Sequence, residues 1–290
     1  MPASRLTRHT HRFASNPRLP SMSHVFDAAI HLTSAGGHRF AGATHPAYAN
    51  MVGPFGGITS AVLLNAVLLH PERLGMPVAL TVNFAGPVAD GAFEIEARPA
   101  RTNRSTQHWA MQLVQGDGIA ATATALFAER RDTWSRQEIA APKGLPPPQA
   151  LERFDPDGRT AWFANYDMRF IEGAMPLPPD GVEASTSTSR LWIRDEPPRP
   201  LDFASLAAIC DNFYPRIYLR RHAFMPAGTV TLSTYFHADP ALLAAHGGRH
   251  VLGIARALNY RNGYYDQSAE VWSDDGQLFA STHQMVYYRG

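Results

Sequence analysis

The chain of 290 residues holds one cysteine, Cys210, which excludes an intramolecular disulfide framework and any Cys-rich metal site. Charge is scarce and balanced. Only 18% of residues are charged and the formal net charge is +1, so no global field favours nucleic acid or an anionic membrane. Long apolar runs are missing too: residues 58–69 are broken by Thr59, Ser60 and Asn65 and fall short of the roughly 20 residues that cross a bilayer. A soluble protein without a membrane span, in a reducing cytoplasm, is the expectation. There is no G-x-S-x-G, no P-loop, no G-x-G-x-x-G and no H-E-x-x-H. Serine-hydrolase, nucleotide-fold and zincin readings therefore have no support.

Acidic residues are also missing from the first 22 positions, which carry four arginines. Residues 1–23 read as an extension outside the fold, or as a start codon placed too early with Met22 the true start; a transit segment is the alternative.

What is present is a repeated grammar. Residues 136–160 carry Pro142, Pro146, Pro147, Pro148 and Pro156 and read as a linker. It separates an N-terminal unit, 24–135, from a C-terminal unit, 161–290, each of a size to hold its own core. In the first unit "GPFGGITSAVLLNAVLL" predicts a helix apolar on every side. "MPVALTVNFAGPV", "GAFEIEARPAR" and a hairpin turning at Gly116-Asp117-Gly118 follow with period-two alternation, which predicts antiparallel strands. In the second unit "TSRLWIR" precedes a helix at "LDFASLAAICDNF" capped by Asp202. "GTVTLSTYFHA", "HVLGIARALNYR" and a hairpin turning at Asp274-Asp275-Gly276 complete it. The two hairpin ends, "DGIAATATALF" and "DGQLFASTHQMVYY", are related, which points to an internal duplication. A helix without a polar stripe needs protein all round it. A curved sheet wrapped around it supplies that: an α+β double hotdog.

The motifs "GPFGGITSAVLLNAV", "NFAGPV", "CDNFYP" and "DGQLFASTHQMVYYR", in this order, resemble the double-hotdog acyl-CoA thioesterase II family. The likeness covers residues 24–134 and 160–290. It implies hydrolysis of a fatty acyl-CoA substrate to free acid and coenzyme A, without a metal or an organic cofactor. It also implies association into homodimers or homotetramers. The family's water-positioning residues fall on Asp211 for the helix acid and Gln284 for the last-strand amide. Thr229 takes the place of the strand hydroxyl, with Thr231 or Ser233, on the same strand face by period two, as alternatives.

The chemistry is consistent with those residue types. A carboxylate such as Asp211, ionised at neutral pH from an unperturbed pKa of about 3.9, can act as base on a water. Gln284 and a strand hydroxyl can orient that water, each having donor and acceptor groups. Gly56 and Gly57 open a helix, where bare amides and the dipole favour the negative charge developing on a thioester oxygen. Asn65 lies eight residues after Gly57, as Asp211 lies eight after Phe203, and is the candidate counterpart lining the site. The expected site is composite: the C-terminal carboxylate facing the N-terminal glycines across an acyl-sized gap. Each residue also has a plain structural reading: a solvent-facing acid, a strand amide, glycines that permit close packing, a bonded helix amide. Two other functions compete, a hotdog enoyl-CoA hydratase, which generally needs an acid with a nearby histidine, and a non-catalytic acyl-CoA-binding protein.

Overall fold

The computed structural model describes residues 23–290; the extension expected over 1–23 lies, but for Ser23, outside the described residues. The chain runs α1 (Val25–Ala29), β1 (Thr33–Gly36), β2 (Arg39–Ala43), α2 (Gly56–Leu68), β3 (Met76–Phe84), β4 (Ala92–Thr102), β5 (Thr106–Gln115) and β6 (Gly118–Ala128). After a long connection come β7 (Tyr166–Glu172), β8 (Ser189–Asp195), α3 (Phe203–Ile209), α4 (Arg216–Arg221) and β9 (Ala227–Phe236). Then follow α5 (Pro240–His246), β10 (Val251–Arg256), β11 (Tyr260–Arg261), β12 (Tyr264–Trp272) and β13 (Leu278–Tyr288).

The strands form one antiparallel sheet in the order β1-β2-β4-β5-β6-β3-β9-β13-β12-β10-β8-β7, with β11 paired to β12 outside this path. The order is a palindrome about the β3–β9 junction. β3 matches β9, β6 matches β13, β5 matches β12, β4 matches β10, β2 matches β8 and β1 matches β7. This is the double hotdog: two repeats, each a sheet with its own central helix, joined along one pair of strands. At the junction Thr81 pairs with Ser233, and their hydroxyls bond at 2.9 Å.

Helix α2 is apolar all round because it touches protein all round. Ile58, Val62, Leu63, Leu64, Ala66 and Val67 lie on every side of its axis and all are buried. α3 does the same in the second repeat, with Asp202 capping it through the Ser205 amide at 2.9 Å. The two helices pack against each other, so one apolar cluster runs from Phe26 to Val286 where two separate cores were expected. The hairpin turns fall at the expected glycines, Gly116 at φ 58° and Gly276 at φ 89°. β1, β2, β7, α4 and α5 were not anticipated. β1 is exposed at all four positions and so carries no alternation to read.

The connection is more than a tether. It crosses the outer face of the C-terminal sheet, where Ala141, Leu145 and Leu151 pack on Trp192, Leu252, Ile254 and Trp272. Trp192 Nε1 donates to Pro146 O at 2.9 Å, and Arg169 Nη1 donates to the Pro148 and Leu151 carbonyls. Arg169 and Arg194 meet the buried carboxylate of Asp167, whose pKa their charges lower against the opposing effect of burial. No helix among the described residues is long and apolar enough to cross a membrane.

Candidate active site

α3 ends at Ile209, so Asp211 sits in the turn just past the helix, its N–H donating to Ala208 O at 3.1 Å. That turn aims the carboxylate at the first residues of α2. Asp211 Oδ1 accepts from Gln284 Nε2 at 2.7 Å, and Gln284 Oε1 accepts from the Thr229 hydroxyl at 3.1 Å. The Gly57 amide lies close enough to the carboxylate to hold its pKa down. Thus an acid from the α3 turn, an amide from β13, a hydroxyl from β9 and an amide from the other repeat meet at one point.

Burial dominates the electrostatics. It pushes the Asp211 carboxyl up to about 7, against the opposing pull of Gln284 and the Gly57 amide. The expectation of an ordinary carboxylate, mostly ionised at neutral pH, is therefore corrected: burial brings its titration into the neutral range. The expected acyl-sized gap is corrected as well. Asp211 lies directly on the start of α2, and a Cβ built at Gly56 would stand 2.6 Å from Asp211 Oδ2 and 3.5 Å from the Phe84 ring. Two open hollows lie elsewhere, one on the outer face of β4–β6 and the other beside β7 and His222. Gly56, Phe84, Asp211 and Thr229 each keep part of their surface accessible.

The two glycines do different things. A Cβ at Gly57 would collide with the Phe55 ring and stand 2.5 Å from the Ala208 carbonyl oxygen, so Gly57 permits the close crossing of the two helices. Gly56 makes room for the carboxylate itself.

A β-bulge decides between the strand hydroxyls. Met285 pairs with Thr231 but Val286 pairs with Thr229, so Val230 is an extra residue that reverses the alternation. Leu232, Thr234 and Phe236 point inward beyond the bulge, and Thr229 points inward before it, opposite buried Val286. Thr231 and Ser233 lie on the other face, opposite Met285 and His283, which are accessible. The idea that all three share one face by period two is thereby overturned. Asn65 is not brought to this point either. Its Nδ2 donates to Ile30 O at 2.9 Å, nine residues along α2 from Gly56, or roughly 13 Å.

Cys210 is fully buried beside Thr234, and burial pushes its thiol up, so it belongs to the core. His38, His70 and Glu72 form the one group of three potential metal ligands among the described residues, at the far end of α2. The Glu72 amide donates to His70 Nδ1 at 3.1 Å, which leaves the neutral ring's proton on Nε2, 3.0 Å from His38 Nδ1. The imidazoles satisfy each other as a hydrogen-bonded pair. His246 and His250 stand four apart, but one bonds Arg249 O and the other meets Asp167.

Other buried polar groups escaped sequence reasoning: Tyr166 and Asn212 beside Asp211, and Tyr48, Asp195 and Ser205 grouped with them. Asn212 lay inside the "CDNFYP" motif. The rest come from segments that pattern alone does not bring together.

One curved antiparallel sheet wrapped around paired central helices, with an acid at the helix–helix crossing, is the double-hotdog architecture. Family models agree with this: the acyl-CoA thioesterase C-terminal domain matches residues 140–288 and the acyl-CoA thioesterase N-terminal domain matches residues 45–128. The chain belongs to the acyl-CoA thioesterase family. Among solved structures, a protein of unknown function with a hotdog fold from Alicyclobacillus acidocaldarius is 46% identical, with a TM-score of 0.88 over 93% of this chain and 99% of that one. A putative thioesterase II from Thermobifida fusca is 22% identical, with a TM-score of 0.75 over 94% and 99%. An acyl-CoA thioesterase II from Mycobacterium marinum is 17% identical, with a TM-score of 0.72 over 91% and 98%. The last two are likenesses of fold. No curated protein matches the chain in sequence.

Proposed function

We propose that the protein hydrolyses acyl-CoA thioesters to free acid and coenzyme A, with Asp211 as the base and with Gln284 and Thr229 holding the water it activates. The observation that carries this reading is the unbroken chain from Thr229 through Gln284 to Asp211 at the start of α2. Ionised Asp211 takes a proton from the water as the water oxygen bonds to the thioester carbon. The carbonyl oxygen then carries the negative charge, and the amides that open α2 are the nearest donors for it, Gly57's being shared with Asp211. As the carbon–sulfur bond breaks, the proton held on Asp211 passes to the leaving sulfur, which restores the carboxylate. A base whose pKa stands at about 7 suits both halves of that cycle. No histidine hydrogen-bonds Asp211 among the described residues, which favours hydrolysis over hydration. A cytoplasmic setting and a role in fatty-acid metabolism belong to the same reading.

The test follows thiol release from a panel of acyl-CoAs, short to long, with wild type and Asp211→Asn. Release that the substitution lowers by about 10²–10⁴ is expected. Hydration of an enoyl-CoA without thiol release, or saturable binding without turnover, would overturn the proposal in favour of a hydratase or a binding protein.

A further inference from the structure

Behind Asp211 lies a second polar group that the proposed chemistry has not used. The hydroxyls of Tyr48 and Tyr166, both amide atoms of Asn212 and Asp195 Oδ1 are buried and make no hydrogen bond of ordinary geometry, although Tyr48 lies toward Tyr166 and Tyr166 toward Asn212. The four residues are exposed by 0%, 1%, 0% and 2% respectively, so bulk solvent does not serve them. They are neighbours. Tyr166 and Asp195 are direct partners across β7 and β8. The Tyr48 ring stands edge-on to Tyr166 at 6.3 Å, and Tyr166 stands edge-on at 6.2 Å to Phe55, the residue that caps α2. Asn212 follows Asp211 in the same turn, and its amide lies toward the Tyr166 hydroxyl. Asp195 Oδ2 is tied to the Ser205 hydroxyl at 2.6 Å, which leaves Oδ1 free.

The same repeat shows what a purely structural polar group looks like. Arg216 is fully buried, and its guanidinium is met by Tyr214 O, Ser187 O, Gln267 Oε1 and Ser189 Oγ. Bare polar atoms in an interior cost free energy comparable to lost hydrogen bonds, and are kept where something else satisfies them. Two hydroxyls, a free carboxylate oxygen and a free amide offer a water the two to four polar partners that it needs.

We propose that Tyr166 and Asn212, with Tyr48 and Asp195, line an internal site that holds water behind Asp211, and so act as positioning residues for hydrolysis. The inference rests on the proposed hydrolase reading. Each turnover consumes one water while the thioester of acyl-CoA lies against Asp211 and the start of α2. The interior site supplies that water from the protein side. Its oxygen bonds to the carbonyl carbon, one hydrogen goes to Asp211 and on to the departing sulfur, and the other stays on the product acid.

The experiment compares Tyr166→Phe and Asn212→Leu with wild type, in steady-state hydrolysis of one acyl-CoA and in thermal unfolding. Each variant removes polar atoms at nearly constant shape. Expected is a kcat about ten- to hundredfold lower with KM within about twofold, since positioning is lost while substrate binding is not. Tm is expected to change little, because the contacts among these groups fall short of hydrogen bonds of ordinary geometry. Wild-type kcat in both variants overturns the proposal. So does a Tm lowered by several degrees in both, which would make these groups structural. Should one variant fail to fold, the other gives the same reading. Wild-type turnover abolished by Asp211→Asn isolates the two ideas: with that control in place, a wild-type kcat in both variants sinks the water site alone.

Discussion

Asp211 shows how one residue's environment sets both reactivity and stability. With its pKa raised to about 7, kcat/KM is expected to rise with pH along a limb centred near that value, as a pH–rate profile would show. A limb centred near 4 would mean that the carboxylate is solvated. The linkage runs the other way for stability. The folded state binds this proton more tightly than the unfolded state, so the contribution is complete below about 3.8 and is lost as pH rises through about 7. Asp211→Asn should therefore raise Tm at pH 8, by about 2–4 °C for each kcal/mol relieved, and raise it less at pH 5. Thermal scans at the two pH values check this. The adjacent glycines should separate the same two properties. Gly56→Ala places its methyl against Asp211 Oδ2 and should cost activity with a modest loss of stability. Gly57→Ala meets the Ala208 backbone carbonyl, which cannot swing aside, and should lower stability by about 1–3 kcal/mol in denaturant titration.

At the scale of the element, the bulge in β9 is the decisive local feature. One extra residue, Val230, turns Thr229 toward Gln284 and leaves Thr231 on the outer face. Thr229→Val should lower kcat, whereas Thr231→Val should leave kinetics near wild type; equal effects from both would remove the assignment of Thr229. Nothing in "GTVTLST" announces the bulge, because threonines at 229 and 231 read as a regular alternation. The helix α2 is the opposite case. Its composition alone demanded a fully enclosed position, and Leu63 and Leu64 are 0% exposed. Leu64→Ala should cost about 2–5 kcal/mol through lost burial and the cavity left behind. Asn65 was legible as a bonded helix amide but equally as a site residue, and only its contact with Ile30 O decides.

For the molecule as a whole, duplication explains why the site is composite. The palindromic sheet brings the repeats together at β3 and β9, and that junction lays the α3 turn of one repeat on the α2 start of the other. Because the core is continuous across the junction, the two repeats should unfold together. Circular dichroism and tryptophan fluorescence, reporting on Trp109 in one half and Trp272 in the other, should give coincident transitions. The sequence by itself determined the strands that alternate, the hairpins with glycine turns, the enclosed helices and the repeat, since each follows from physics acting within about a dozen residues. It also singled out Asp211, Gln284 and Thr229, through resemblance. Tertiary structure alone decided which face Thr229 takes, that Asp211 touches Gly56 rather than facing it across a gap, and how far burial raises its pKa. Those depend on strand register and on atoms from segments far apart in the chain, Thr229 and Gln284 by 55 residues and Gln284 and Asp211 by 73, and a carboxylate's desolvation exists only once such segments have closed around it.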